Sequence, residues 1–294
     1  MSCQDLVVGS PFDTNTDGVV GGSIFTYVLP QPEPANKIIS PEPETGEDFA
    51  FAVDIAGDIL IAGAFGNDDG GNQAGTAYVF ERQADGSWLF EQELTAGTPT
   101  AGFEFGDPVA IAGNPALDVY VAAVGSTNDG DGRVWLFERD AGSWSSIGSI
   151  TGDAGELDFG LALDIDNISG SDFNIAVGAP DDGFAVDGGP GAVYVFNVDL
   201  TAPTITPLAK LTSTIGTTEA IGVTHAGFGS RVAIDGDTLA ASAPFNDGPG
   251  TDAGAIAVFR ADNPAFTAWS EEAILTSCGV DAGGAGAALT PCPG

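Results

Sequence analysis

The chain repeats itself, and this repetition limits what it can fold into more than any other feature. Phe49, Phe105, Phe159 and Phe228 each open a short run in which side chains alternate in character: FAFAVDI, FGDPVAI, FGLALDI and FGSRVAI. The spacings are 56, 54 and 69 residues. A period of two marks a half-buried strand. A second apolar run follows in each copy (ILIAGAF, VYVAAVG, NIAVGAP, TLAASAP), then a loop rich in Asn, Asp and Gly. Gly75, Gly132, Gly191 and Gly254 start a third run, which ends five residues later on Phe80, Phe137, Phe196 or Phe259. A fourth run closes the copy. Trp88, Trp144 and Trp269 stand six residues before the Leu or Ile of a Leu-Thr or Ile-Thr pair, and Ile205 holds that place before Leu211.

A unit of four strands in about 55 residues cannot bury its apolar face alone, so it stacks on its neighbours. Four-stranded units repeated in this way are the blades of a β-propeller. The chain ends supply a fifth copy. Residues 6–12 (LVVGSPF) read as a second strand, Gly22 opens a third run with Tyr27 five residues on, and residues 36–40 (NKIIS) make a fourth. The first strand is missing there. AGAALT at residues 285–290 is in step with the repeat, because Ala285 lies 57 residues after Phe228. The expected fold is therefore all-β: a single propeller of five four-stranded blades over residues 1–294, its ring closed by pairing of the N- and C-terminal segments. The blades are expected at 285–294 with 1–46, then 47–101, 102–156, 157–224 and 225–284. The Pro- and Glu-rich stretch 29–46 reads as an elaborated loop between strands three and four plus a link to the next blade.

The same register places two cysteines. In the second copy Ala56 and Gly57, at Phe49 plus seven and Gly63 minus six, are neighbours in the turn between strands one and two. In the composite copy those places are Cys292 and Cys3. A Cys3–Cys292 disulfide is expected there. It would enclose nearly the whole chain and stabilise it by about 4 kcal/mol or more on the chain-entropy account, and it implies an oxidising compartment. Cys278 is left as a buried thiol, an intermolecular bridge or a rival partner for Cys292. No Cys-x-x-Cys spacing points to zinc.

Charge sorts the partners. Forty-two acids face seven bases, for a formal net charge of −35. Such a surface repels nucleic acid and anionic membranes and attracts cations. A hydrophobic content of 43% is enough for a packed core, so the acidity does not imply disorder. No apolar run approaches the ~20 residues of a membrane helix, and direct membrane insertion is not expected. The first residues do not read as a basic-then-apolar leader; the expectation is either that one was removed or that the chain is a piece of something longer. In ~1 M salt the screening length falls to about 3 Å and the self-repulsion fades. The acids read either as adaptation to a salty medium or as ligands for divalent ions.

The pattern FG…VAI…GAP…GAVYVF resembles the FG-GAP repeat of integrin α-subunit heads and bacterial surface proteins. Residues 159–196 are the fullest copy. The resemblance implies an extracellular or cell-surface propeller used for adhesion or recognition. Integrin heads have seven blades, whereas five are counted here. The family often carries a calcium loop, D-x-[DN]-x-D-G-x-x-D, between strands one and two. DIDNISGSD is the nearest match: Asp164, Asp166 and Asp172 fill its first, third and ninth places, and Gly170 offers a carbonyl. Ile168 stands where a third carboxylate belongs.

A second candidate is DTNTDG, with Asp13, Asn15 and Asp17 as ligands and Gly18 at the bend. Ile24 replaces the bidentate Glu of such loops. Ca²⁺ is thus the expected cofactor, against the plain alternative of Asn/Asp/Gly turn chemistry. The corresponding loops hold Asp68, Asp69, Asp129, Asp131, Asp181, Asp182 and Asp247. They read as five copies of one turn or as a cation-assisted docking face.

An enzyme is not expected. His225 is the single histidine, there is no G-x-S-x-G elbow, and carboxylate pairs carry no information among 42 acids. The recurrent Trp residues fit packing between blades better than sugar stacking. A lectin-like propeller remains one alternative. The other is a filament subunit that donates its terminal strand. Expected partners are a protein or glycan ligand, or copies of the chain itself.

Overall fold

The computed structural model describes residues 5–14, 18–31, 33–153, 158–180, 191–215, 226–246, 253–276 and 279–282. Every regular element among them is a strand, and no helix is long and apolar enough to cross a membrane. The first sheet holds β1 (Asp5–Ser10), β2 (Ser23–Val28) and β3 (Asn36–Ile39). The second holds β4 (Val53–Ala56), β5 (Ile59–Ala64), β6 (Thr76–Arg82) and β7 (Trp88–Leu94). The third holds β8 (Val109–Asn114), β9 (Val119–Ser126), β10 (Arg133–Asp140) and β11 (Ser143–Ile150). The fourth holds β12 (Ala162–Ser169), β13 (Asp172–Ala179), β14 (Ala192–Asp199) and β15 (Thr204–Leu211). The fifth holds β16 (Val232–Asp235), β17 (Thr238–Ala243), β18 (Ala255–Ala261), β19 (Trp269–Thr276) and β20 (Gly279–Ala282).

Strands adjacent in sequence are adjacent in each sheet. The four-strand copies stand where the sequence places them. β20, paired to β19, is an addition that the alternation did not foretell. Residues 285–290, Cys3, Cys278 and Cys292 lie outside the described residues, so the composite copy is seen here as three strands. The chain divides into two compact units. One is Met1–Asp129 with Val134–Ile150, and the other is Gly130–Arg133 with Thr151–Gly294.

Each repeat motif has a mechanical cause. The Phe that ends the third run coincides with a register shift between strands three and four, at Phe80, Phe137, Phe196 and Phe259 alike. The extra residue is on strand four (Glu91, Ile147, Leu208 and Glu272), and such a bulge bends that strand opposite the Phe. Each of these rings meets the opening Phe of its own copy. The centroid distances are 6.1 Å for Phe49–Phe80, 6.2 Å for Phe105–Phe137, 6.3 Å for Phe159–Phe196 and 6.0 Å for Phe228–Phe259. All four opening rings are fully buried. Their backbones also join neighbouring copies. Phe49 N–H donates to Gly21 O at 2.9 Å and Phe105 N–H to Ala74 O at 3.1 Å, and the next residue then bonds its own second strand.

The glycines keep those backbones in contact. A Cβ on Gly22, Gly75, Gly132 or Gly191 would overlap the carbonyl oxygen of Phe49, Phe105, Phe159 or Phe228 respectively. Gly63 is equally tight, because its Cβ would overlap the backbone oxygen of Gly106. Backbone on both sides cannot step aside cheaply. Gly63→Ala is expected to cost at least the ~1–3 kcal/mol of ordinary overpacking. A urea midpoint for the variant within error of wild type would show that the second sheet can move to admit the methyl group.

Apolar clusters fill the spaces between sheets. Phe49, Ile24, Ile38 and Leu60 join the first and second sheets. Ile61, Val79, Phe105, Val124 and Trp144 join the second and third. In the other unit, Val195, Phe228, Leu239 and Phe259 join the fourth and fifth.

Candidate functional site

Where described, the acidic loops between strands two and three are occupied with their own geometry. Asp13 Oδ2 accepts from Ser23 Oγ at 2.5 Å and pairs with Lys37 Nζ at 2.6 Å. The Lys37 ammonium, with Ser23, holds its carboxyl below the usual range. Asp68 Oδ1 accepts from Gln73 N–H at 2.8 Å, and Asp69 N–H donates to Asn67 Oδ1 at 3.0 Å. Asp129 N–H donates to Ser126 O at 3.2 Å, and Asp131 O accepts from Phe159 N–H at 3.2 Å. These are Asx-type turn bonds and backbone bonds of the repeat. Asn15, Asp17, Asp181, Asp182, Asp247 and His225 lie outside the described residues.

The segment DIDNISGSD is strand, turn, strand rather than an open loop. Asp164 and Asp166 lie on β12, Asp172 opens β13, and only Gly170 and Ser171 make the turn. Apolar Ile165, Phe173 and Ile175 keep both strands packed. The three acids point to separate tasks. Asp164 accepts from Ile165 N–H at 3.0 Å and from Ile234 N–H, on β16, at 2.6 Å. Asp166 accepts from Gly236 N–H at 2.7 Å, and Asp172 from Asn197 Nδ2 at 2.7 Å. Burial pushes the Asp164 carboxyl up despite those bonds.

Asp54 repeats the arrangement, accepting from Ile55 N–H and from Ile111 N–H on β8, both at 2.8 Å. The Asp of VDI and LDI is therefore a clamp onto the following sheet. A sequence signal for it exists: the first strands of copies two and four carry Asp there, whereas copies three and five carry Ala110 and Ala233. Among the described residues no group of three or more His, Cys, Asp or Glu side chains is arranged to hold a metal ion.

The few bases form a second kind of clamp that the repeat analysis missed. Arg82, Arg139 and Arg260, near the ends of third strands, pair with Asp58, Asp118 and Asp237 in the turns between strands one and two. Arg139 is 5% exposed and also binds Glu81 at 3.1 Å and Glu91 at 2.6 Å on the preceding sheet. Trp144 Nε1 donates to Glu91 Oε2 at 3.0 Å. The Gln92 side chain bonds both the N–H and the carbonyl of Trp144, at 3.0 and 2.9 Å. Trp144 is thus packing between sheets.

Two adjoining clefts lie between the first and second sheets. One, about 340 Å³, is lined by Asp5, Tyr27, Asn36, Arg82, Asp85 and Trp88. The other, about 350 Å³, is lined by Lys37, Ile39, Phe80, Trp88 and Phe90. Both are large enough for a small ligand. The Arg82 guanidinium sits 4.8 Å over the Trp88 ring and so occupies one of its faces. Asp5 anchors that guanidinium at 3.0 Å.

Antiparallel four-strand sheets locked through Phe rings and glycine-lined backbone contacts define an all-β, propeller-like repeat protein. Residues 34–80 and 222–259 match the FG-GAP repeat family. The copy at residues 159–196 lies outside the matched segments. No curated protein matches the chain. Among solved structures it is similar to two putative 6-phosphogluconolactonases. For that of Bacteroides uniformis the TM-score is 0.55 at 12% identity, over 96% of this chain and 69% of that one. For that of Bacteroides fragilis it is 0.52 at 16% identity, over 92% and 67%. A protein from Lactobacillus plantarum gives 0.50 at 15% identity over the same shares, 92% and 67%. Likeness at such identities speaks for the fold alone.

Proposed function

We propose that this chain is an extracellular, non-catalytic propeller module for adhesion, recognition or assembly. The observation that carries this reading is the repeat framework itself. Asp54, Asp164, Asp166 and Arg139 are spent on joining sheets, and the repeats carry a series of acidic loops between strands two and three. Five blades close the ring in this reading, with residues 285–290 completing the first sheet. β1 supports that step: it is a sheet edge with Leu6 45% and Val8 41% exposed, whereas β5, its counterpart, is buried throughout. A Cys3–Cys292 bridge would secure the closure. Calcium belongs to this reading at the loop of Asp13, where it must displace Lys37. A lectin-like role would instead use the Trp88 clefts. The lactonase chemistry of the similar structures enters only as shared fold.

The test uses the whole chain at about 1 M salt, to remove self-repulsion. Thermal melts in EDTA and in millimolar calcium, with magnesium as control, are combined with glycan-array binding. A calcium-specific rise in Tm that shrinks in Asp13→Asn is expected, together with binding that depends on Asp68, Asp69 and Asp129. No calcium shift removes the ion from the proposal. Glycan binding that persists without those acids and disappears in Trp88→Ala turns the reading to a lectin.

A further inference from the structure

Glu47 is a fully buried carboxyl, 0% exposed, on the strap of residues 40–48 that joins β3 to the second sheet. The equivalent place, two residues before the repeat Phe, holds Phe103, Leu157 and Ala226 in other copies. An acid therefore stands where the repeat otherwise puts an apolar side chain. Its Oε1 accepts from Ser40 Oγ at 2.5 Å, and its Oε2 accepts from Glu44 N–H at 3.1 Å. The Tyr78 phenol of β6 lies against it, and Asn67 Nδ2 reaches that phenol at 3.4 Å. Ser40, Asn67 and Tyr78 are themselves buried. The strap is tied down beside this pocket, with Gly66 N–H donating to Glu47 O at 3.1 Å and Phe49 N–H to Gly21 O at 2.9 Å.

The titratable groups that bear on the pocket are Glu44 from the strap, Tyr78 of β6, and Glu93 of β7, which faces Tyr78. Asp48, next along the strap, is also pushed up by burial. None of these groups is a cation. The bonds from Ser40, Glu44 N–H and Tyr78 favour the charged carboxylate, but a buried carboxylate with no cation beside it is costly, and that burial outweighs them. We propose that protonated Glu47 latches the strap of residues 40–48 onto the second sheet, and that its ionisation releases the strap.

Desolvation, the largest cause, raises the Glu47 carboxyl from 4.5 to about 7. Its folded value lies above its unfolded one. The latch is therefore fully closed below about pH 4.5 and is lost as pH rises through about 7. This is a proton-operated joint between the first two sheets, and it is independent of the ligand reading above.

Hydrogen exchange followed by mass spectrometry tests it on the whole chain in high salt, with rates corrected for the intrinsic effect of pH. Opening of residues 40–49 and of Gly66 is expected to rise tenfold or more, on the order set by linkage, between pH 5.5 and 8. Glu47→Gln removes that rise, whereas Glu44→Gln and Asp48→Asn keep it. The proposal is overturned if wild-type opening does not change with pH, or if Glu47→Gln retains the change. Should the Gln variant not fold, a carbon-13 titration of the Glu47 carboxyl decides. A midpoint near 7 supports the latch, and one near 4.5 overturns it.

Discussion

Arg139→Ala is expected to remove about 3–5 kcal/mol of stability, the range for breaking one side of a buried ion pair. Three acids converge on this guanidinium: Glu81, Glu91 and Asp118. The Glu91 side chain is 10% exposed, so without Arg139 it is left charged and poorly hydrated. The same carboxylate holds Trp144 Nε1, so the loss spreads into the packing between the second and third sheets. Urea midpoints measure the effect. Arg260→Ala is the internal comparison, because Arg260 makes like pairs with Asp237 and Glu272 but its side chain is 47% exposed. Screening by water makes such a pair nearly neutral for stability. Equal effects of the two substitutions would sink the idea that burial makes Arg139 a clamp. Glu91→Gln added to Arg139→Ala should recover part of the loss, because it removes the stranded charge.

Phe105→Ala is expected to cost a similar ~3–5 kcal/mol, through lost burial and the cavity left behind. The ring is fully buried and packs edge-on against Phe137. Its carbonyl oxygen lies where Gly75 admits no Cβ, so the surrounding backbone has little freedom to collapse into the hole. Leu89→Ala, on an exposed side chain, should stay within about 0.5 kcal/mol of wild type. A Phe105→Ala cost below about 1 kcal/mol would mean that the opening Phe is not what fastens each copy to the next.

The site was less legible than the fold. The calcium reading of residues 164–172 rests on resemblance to the spacing of a calcium loop, and spacing does not record where a carboxylate points. Asp164 and Asp166 are committed to backbone N–H groups of the following sheet, at Ile234 and Gly236. The Asp/Ala alternation of the repeat contained this information, because an acid confined to particular copies marks particular junctions. Trp144 was legible as packing because its place in strand four recurs, and recurrence fits a shared structural task. The arginine clamps were hidden by their scarcity. With seven bases in the chain, three at similar positions do not stand out against the pattern of Phe and Gly.

The four-strand repeat of the second to fourth sheets, strand order within each sheet and the places of Phe and Gly were determined by the sequence alone, whereas β20 was not. These features rest on local rules: side chains alternate at period two, and glycine is required where backbones meet without room for a Cβ. Four copies repeat the signal and average out its exceptions. Only the tertiary structure decided which acids are clamps, which base is buried and why Glu47 can carry a proton. Those properties depend on partners distant in the chain, 70 residues apart for Asp164 and Ile234 and 48 for Arg139 and Glu91. They depend as well on how far each pair is shielded from water, because solvent exposure sets the strength of a charge interaction.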